Sequence, residues 1–365
     1  MRYYFDHNAW MPMSKEVKKY IISLLEKVGN PSSIHYSGRE SKKILEEARM
    51  NIAMLVKCDS QNIIFTSGAT EANNLALNGY DKKIVSSIEH DSIRKQKNII
   101  EVDVDDKGYI NIEMLHNIVK SITNKNKAII SIMFANNETG VIQPIKKIAQ
   151  ICKEKKVLFH SDAAQAVGKI KINVKDMGID LMSISAHKFY GPKGIGALYI
   201  RGFPRIRLSP LIDGGGQEIN LRSGTLPVPL CIGFGEAAKI ANMNLQKEVK
   251  KTKELRDYFI ISLKKKIDNI IINGDLKNRL PANINFSIPN IKAKDIIQSL
   301  KYTIISSGSA CTSSSVDPSY VLSGMGLKKD VVESSLRVGI GRYSIKADID
   351  KAVQDIYQTV KLLRN

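Results

Sequence analysis

The feature that most constrains this chain is a repeated alternation of short apolar runs with longer segments of helical periodicity. Five apolar runs, NIIFT, KIVSSI, AIISIMF, VLFHS and DLMSIS, lead in turn into the polar clusters Ser67–Glu71, Glu89–Asp91, Asn136–Gly140, Asp162–Gln165 and Ala186–Lys188. Such alternation is typical of an α/β fold with a largely parallel sheet. Ligands of these folds bind at the carboxyl ends of the strands. The sequence therefore predicts one ligand site at that edge, formed by these clusters.

The pattern changes after about residue 240, which indicates a second unit. A long charged helical segment, KEVKKTKELRDYFIISLKKK, is followed by the strand-like runs NIIING and NINFSI. The chain has 365 residues, which is longer than one ordinary domain. We predict a large domain at 13–245 and a small domain formed by 1–12 and 246–365. The N-terminal residues are assigned to the small domain because chain ends often pack together.

Charge and hydropathy limit the classes of partner. No apolar run reaches the roughly 18–20 residues of a membrane span, and the N-terminus lacks the pattern of a secretory signal. We therefore expect a cytoplasmic protein that does not associate with a membrane. The net charge is +19, from 55 basic and 36 acidic residues. The lysines are scattered, which favours a dispersed surface charge, although transfer RNA or an acidic protein partner stays open.

The four cysteines differ sharply in their surroundings. Cys152 and Cys231 lie among apolar residues, and Cys58 ends an apolar helical pattern, so these three are predicted to be structural. The spacings fit neither a zinc site nor a disulfide framework, and no metal is expected. Cys311 lies instead in the small, polar stretch SSGSACTSSS. That setting predicts an accessible, reactive thiol.

Three clusters at the predicted sheet edge carry chemistry in a particular order. Ser67–Glu71 opens a helix with small residues, which suits a phosphate. Asp162 follows a strand and could keep a pyridine nitrogen protonated, although an aspartate there could equally cap a helix. Lys188 precedes a glycine-rich turn and suits a Schiff-base amine, although a solvated lysine is the alternative. Phosphate site, carboxylate and lysine in this order predict pyridoxal 5'-phosphate (PLP).

The sequence resembles the NifS/IscS-type cysteine desulfurases of the class V aminotransferase group. The resemblance covers essentially the whole chain and includes the stretches GNPSSIHYSGR, FTSGATEANNLA, EHDSI, NNETGVIQPI, HSDAAQAVGK, SAHKFYGPKGIG, GGGQE, RSGT, SSGSACTSSS and SSLRVGIGR. It implies the PLP-dependent transferase fold type I. This fold has a large domain with a mostly parallel seven-stranded sheet flanked by helices, and a smaller α+β C-terminal domain.

The resemblance also implies a role for each matching position. Residues implied to bind PLP or its phosphate are Ala69, Thr70, His90, Asn137, Asp162, Gln165, Ser185, His187, Lys188 and Thr225. Lys188 would bind the cofactor covalently, Asp162 would pair with the pyridine nitrogen, and His90 would stack on the ring and move protons. Thr225 would act from the neighbouring subunit, which implies a homodimer. Arg337, with Asn137, would bind the substrate carboxylate.

Cys311 completes the implied catalytic set with Lys188 and His90. In the family this cysteine accepts sulfur from L-cysteine, which leaves as L-alanine, and the resulting persulfide supplies an iron–sulfur scaffold protein or a tRNA-thiolation partner. Selenocysteine cleavage or another PLP reaction stays open, as does a degenerate paralogue that serves as a binding subunit. One departure from the family pattern is Trp10-Met11, which replaces two threonines near the active-site entrance.

Overall fold

The computed structural model describes residues 2–26, 29–308 and 318–364. Cys311 and the rest of 309–317 lie outside these described residues. The strands are β1 Tyr3–Tyr4, β2 Ile63–Thr66, β3 Lys82–Ser86, β4 Ile99–Val102, β5 Ala128–Ser131, β6 Leu158–Asp162, β7 Leu181–Ser185, β8 Gly196–Ile200, β9 Ile271–Ile272, β10 Asn283–Ser287, β11 Thr303–Ile304, β12 Ser306–Ser307 and β13 Ser335–Gly339.

The helices alternate with the strands in the first two thirds of the chain. They are α1 Lys15–Leu24, α2 Tyr36–Val56, α3 Ala69–Leu77, α4 Asp91–Arg94, α5 Ile112–Ser121, α6 Ile145–Lys155, α7 Val174–Met177, α8 Val228–Lys264, α9 Ala293–Ser299, α10 Tyr320–Gly324, α11 Lys329–Glu333 and α12 Lys346–Arg364. None of the helices in the described parts of the chain is long and apolar enough to cross a membrane.

The central sheet has seven strands in the order β2-β8-β7-β6-β5-β3-β4. Strand β8 pairs antiparallel with both β2 and β7, and the other pairings are parallel. Strands such as β5, with the sequence AIIS, are buried along their whole length, as expected for a sheet covered by helices on both faces. The carboxyl ends of β2, β3, β5, β6 and β7 therefore meet at one edge. The predicted α/β class and mostly parallel seven-stranded sheet are confirmed.

A second, four-stranded sheet has the order β12-β13-β10-β9. It packs with α12 and the C-terminal part of α8 around a separate apolar cluster that includes Phe259, Phe286 and Ile356. Phe5 belongs to this cluster, and β1 pairs with β11, so the N-terminal strand packs against the C-terminal part of the chain. The domain limits 13–245, and 1–12 with 246–365, stay predictions.

Helix α8 is 37 residues long and contributes to two apolar clusters, a large one beside the central sheet and the smaller one beside the four-stranded sheet. Cys231 and Phe234 near its start lie in the large cluster, whereas Phe259 and Leu263 near its end lie in the small one. Cys231 and Cys152 are buried, and burial raises the pKa of the Cys231 thiol to about 12. These two thiols are therefore protonated near neutral pH, in accord with a structural role.

Candidate active site

A cavity of about 510 Å³ lies at the carboxyl ends of the central strands. It is lined by most of the predicted site residues, namely Ala69, Thr70, His90, Asn137, Asp162, Gln165, Ser185, His187, Lys188 and Arg337. Thr225 is exposed and does not line this cavity within the described chain. Cys311 lies outside the described residues. The structure thus brings together residues that are spread over more than 260 positions of sequence, from Ala69 to Arg337.

One end of the cavity is suited to an anion. Ala69 and Thr70 open α3 immediately after β2, so their N–H groups belong to the first turn of a helix, where backbone donors lack intrahelical partners. The side chain of Ser185 hydrogen-bonds to Nδ1 of His187 at 3.0 Å. Burial, with the neighbouring Lys188, lowers the pKa of His187 to about 4. The His187 ring is therefore neutral at pH 7 and can act as a hydrogen-bond donor.

Asp162 ends β6 with its carboxylate held in a fixed orientation. Oδ2 accepts a hydrogen bond from Nδ2 of Asn73 at 2.7 Å, and Oδ1 accepts one from the backbone N–H of Ala164 at 2.9 Å. Asn73 also donates to the hydroxyl of Ser92. These neutral donors keep the carboxylate available as a partner for a cationic ring nitrogen. Asn73 was not among the predicted residues, although it lies within the matching stretch FTSGATEANNLA.

Lys188 is held by backbone carbonyls of the N-terminal segment. Its Nζ donates to the carbonyl oxygens of Asn8 and Ala9, at 2.8 Å in both cases. Nε2 of Gln165 donates to the same Asn8 oxygen at 3.0 Å. Residues 8–9 therefore fix the positions of two predicted site residues, although they were predicted only to belong to the small domain.

A second lysine, Lys169, is buried beside the first. Its Nζ donates to Oε1 of Gln165 at 2.9 Å. The amide nitrogen of Gln165 therefore points away from Lys169. Burial, and then the charges of Lys188 and Arg337, lower the pKa of Lys169 to about 7. The sequence analysis missed this residue. Its position four residues after Gln165, within HSDAAQAVGK, was the signal that could have found it.

Replacing Lys169 with methionine should stabilise the cofactor-free chain in a pH-dependent manner. The unfolded chain keeps this amine charged up to about pH 10.5, whereas the folded chain charges it only below about pH 7. The penalty for burying the amine is therefore complete below pH 7 and shrinks as the pH rises above it. Urea unfolding at pH 6 and pH 9 should show a larger gain for Lys169→Met at pH 6. Exposed Lys171→Met is the control, and an equal gain at both pH values would contradict the expectation.

Arg337 enters the cavity from β13 and is almost completely buried, with 1% of its surface exposed. Nη2 forms an ion pair with Oδ1 of Asp6 at 3.0 Å, and Nη1 donates to the carbonyl oxygen of Asn137 at 3.2 Å. Among the residues that the structure describes, its Nε has no hydrogen-bond partner. A buried guanidinium with an unused donor can bind a carboxylate ligand by donating hydrogen bonds to it. Asp6 was not predicted as a site residue.

His90 and Asn137 occupy loops that follow β3 and β5. His90 caps α4, with Nδ1 within 2.8 Å of the Ser92 hydroxyl. Oδ1 of Asn136 accepts hydrogen bonds from the backbone N–H groups of Glu138 and Thr139, which fixes the turn around Asn137. Oδ1 of Asn137 is buried without a hydrogen-bond partner in the described parts of the chain. Asn137 also lines the cavity, so a bound ligand is one source of the missing donor.

Trp10 and Met11, the pair that departs from the family pattern, lie in different environments. Trp10 lines the cavity, and Nζ of Lys193 lies 3.9 Å from the centre of its ring. Met11 is buried with 3% of its surface exposed and does not line the cavity. Trp10 is therefore the residue of this pair that limits the space at the cavity wall.

A fold with this sheet, and a lysine, a held aspartate and a buried arginine at its edge, defines a group of PLP enzymes. The family model described as Aminotransferase class-V matches residues 3–352. The chain belongs to the class V aminotransferase family.

Individual relatives indicate a smaller group within the class V aminotransferase family. The chain is 42% identical to proteins named cysteine desulfurase IscS from Rickettsia massiliae and Ehrlichia chaffeensis, and each match covers 99% of this chain and 92% of the relative. A solved NifS-like protein from Rickettsia africae superposes with a TM-score of 0.92 at 34% identity, over 99% of this chain and 100% of that one. A structure titled as SspA in complex with cysteine gives a TM-score of 0.81 at 31% identity, over 94% and 100% of the two chains.

Proposed function

We propose that this chain is a PLP-dependent cysteine desulfurase, which removes sulfur from L-cysteine, releases L-alanine and leaves a persulfide on Cys311. The observation that carries the proposal is one cavity that combines the Lys188 amine, the held Asp162 carboxylate and the buried Arg337 guanidinium. The likeness to proteins named cysteine desulfurase supports it over most other reactions of the class V family.

The residues present fit PLP in size and chemistry. A volume of about 510 Å³ is in the ordinary range for a cofactor pocket. An amine suits the aldehyde, a carboxylate suits the ring nitrogen, and a helix N-terminus with Ser185 and His187 suits the phosphate. The buried Asn137 oxygen, which has no partner in the described residues, is left for a ligand. PLP, when bound, supplies a ring that withdraws electrons from the bonds of the attached amino acid.

The chain's own residues then have distinct tasks. The Arg337 guanidinium binds and orients the substrate carboxylate, and its ion pair with Asp6 keeps it in place. Asp162 would pair with the ring nitrogen of bound PLP and favour its protonated form. Gln165 is oriented by Lys169, which donates to its Oε1, and by its own bond from Nε2 to the Asn8 carbonyl oxygen. Lys188 and His90 are the groups that move protons to and from the substrate.

Cys311 accepts the sulfur in this proposal. Its thiol gains one sulfur atom from L-cysteine, and the carbon skeleton leaves as L-alanine, so atoms balance without an added oxidant. The three residues from Gly308 to Cys311 span at most ~11 Å of extended chain. Gly308 lies close to Glu138, the residue after the cavity-lining Asn137, which supports a thiol that starts near the cavity.

The proposal includes a homodimer and a transient sulfur acceptor. Thr225 is exposed and away from its own cavity, as expected for a residue that completes the site of a neighbouring subunit. The acceptor is an iron–sulfur scaffold protein or a tRNA-thiolation partner, and the cytoplasmic location stays a prediction. Selenocysteine cleavage is the alternative for the same site.

Incubating the purified protein with L-cysteine should add one sulfur atom to Cys311, detectable by mass spectrometry of its peptide. Replacing Cys311 with serine should abolish sulfur transfer, because serine lacks the nucleophile, while the absorbance of bound PLP stays unchanged. Cys58→Ser is the matched control, because burial raises the pKa of that thiol to about 12 and makes it unreactive. Full turnover by Cys311→Ser would refute the proposal, and preferred turnover of selenocysteine would favour the alternative.

A further inference from the structure

The two described ends of the segment that carries Cys311 meet at one carboxylate. Ser319, which follows the segment, donates its hydroxyl to Oε2 of Glu138 at 2.5 Å. Gly308, which precedes it, lies so close that a Cβ at this position would be 2.0 Å from the same oxygen. Real Cβ atoms do not approach an oxygen so closely, so only glycine fits here while Glu138 keeps its place.

Glu138 is itself fixed beside the active-site cavity. It is 1% exposed and directly follows Asn137, which lines the cavity. Its backbone N–H donates to the side chain of Asn136 at 2.9 Å, and its carbonyl oxygen accepts from Nδ2 of Asn283 at 3.1 Å. Burial raises its pKa to about 6, while Ser319 and Arg337 act in the opposite sense. The carboxylate is therefore ionised above about pH 6 and is a strong acceptor for the Ser319 hydroxyl.

The C-terminal end of the segment has a second attachment to the cavity wall. The hydroxyl of Tyr320 donates to the carbonyl oxygen of Glu89 at 2.7 Å, and Glu89 directly precedes His90. The guanidinium of Arg94 lies 4.1 Å from the centre of the Tyr320 ring. Leu322 packs in an apolar cluster with Ile88 and Met133. The segment therefore ends on α10, which is attached to residues adjacent to His90 and to Asn137.

We propose that Glu138 is a positioning residue for sulfur transfer, which holds Gly308 and Ser319 together at the cavity edge so that Cys311 begins from a fixed base. The proposal rests on the proposed function, since it assumes that Cys311 is the acceptor. Because Cys311 is three residues from Gly308, a displacement of Gly308 changes the reach of the thiol directly. Glu138 acts through the backbone and does not contact the reacting atoms.

The test is a double-mutant cycle between Gly308→Ala and Glu138→Ala. The added Cβ should slow single-turnover sulfur transfer to Cys311 by about tenfold to a hundredfold, because either Gly308 or the buried Glu138 carboxylate that Ser319 binds must move. Combined with Glu138→Ala, the same Cβ meets no carboxylate and should add less than about a threefold cost. Transfer is followed by mass spectrometry of the Cys311 peptide. The affinity for PLP and the spectral change on adding L-alanine should stay within about twofold in all variants.

Three further variants complete the design. Ser319→Ala removes the hydrogen bond to Glu138, together with the N-cap bond that Ser319 accepts from the Leu322 N–H, and should slow sulfur transfer in the same direction. Ser319→Thr keeps a hydroxyl for both bonds and should restore the rate, which keeps the test valid if Gly308→Ala does not fold. Glu333→Ala removes a partly exposed carboxylate at the end of α11 and should change nothing. Sulfur transfer at the unmodified rate in Ser319→Ala and Glu138→Ala, or independent costs in the cycle, would overturn the inference. Absence of sulfur on Cys311 in the unmodified protein would instead refute the proposed function.

Discussion

Replacing Lys188 with alanine is expected to abolish turnover of L-cysteine and the visible absorbance of lysine-bound PLP. Lys188 lines the cavity, and its Nζ is held against the carbonyl oxygens of Asn8 and Ala9. Loss of a covalently acting group of this kind costs about a thousandfold or more in rate. The fold should be retained, because the side chain packs against polar groups and not in either apolar cluster. Absorbance spectra and an alanine-release assay measure the two effects.

Lys193 offers a matched control for this variant. It lines the same cavity but lies over the ring of Trp10 and is largely exposed. Lys193→Met should retain the absorbance of the bound cofactor and most of the activity. If Lys193→Met lost the absorbance and Lys188→Ala kept it, the assignment of the covalent lysine would be wrong.

The sequence was most informative at the carboxyl ends of strands. Asp162 and Lys188 could be found because each follows an apolar run, and the parallel arrangement brings such ends to one edge. The same reasoning placed Asn137 and His90 at the cavity, which the structure also does. The central sheet was predictable for the same physical reason, since fully buried parallel strands have continuous apolar sequences.

Other parts of the site leave little trace in the sequence. The carbonyl oxygens of residues 8–9 hold Lys188, and a backbone group has no residue-type signal. Asp6 pairs with Arg337 across 331 positions, a contact that no local spacing encodes. The close approach of Gly308 to Glu138 is likewise a tertiary contact. These positions depend on how the two sheets pack, which periodicity does not determine.

Glu218, in the stretch GGGQE, forms a buried ion pair with Arg49 that the sequence analysis did not anticipate. Its carboxylate accepts two hydrogen bonds from Arg49, at 2.7 and 2.8 Å, and one from the backbone N–H of Phe65 at 2.6 Å. Residues 218–220 all have left-handed backbone angles, with φ between 47° and 61°. Such angles are unfavourable for residues other than glycine. The ion pair therefore holds a strained turn next to β2 and close in sequence to Thr225.

Replacing Glu218 with alanine is expected to lower the free energy of unfolding by about 3–5 kcal/mol, because it leaves the buried Arg49 charge with only the half-exposed Glu46 as an ionic partner and releases the turn. Urea unfolding followed by circular dichroism measures the loss. Arg49 also pairs with Glu46, whose side chain is 49% exposed. Glu46→Ala should therefore cost only about 0–1 kcal/mol, because an exposed pair is screened by solvent. Equal losses of unfolding free energy in the two variants would contradict this expectation. They would mean that burial does not make the Arg49–Glu218 pair stronger than the Arg49–Glu46 pair.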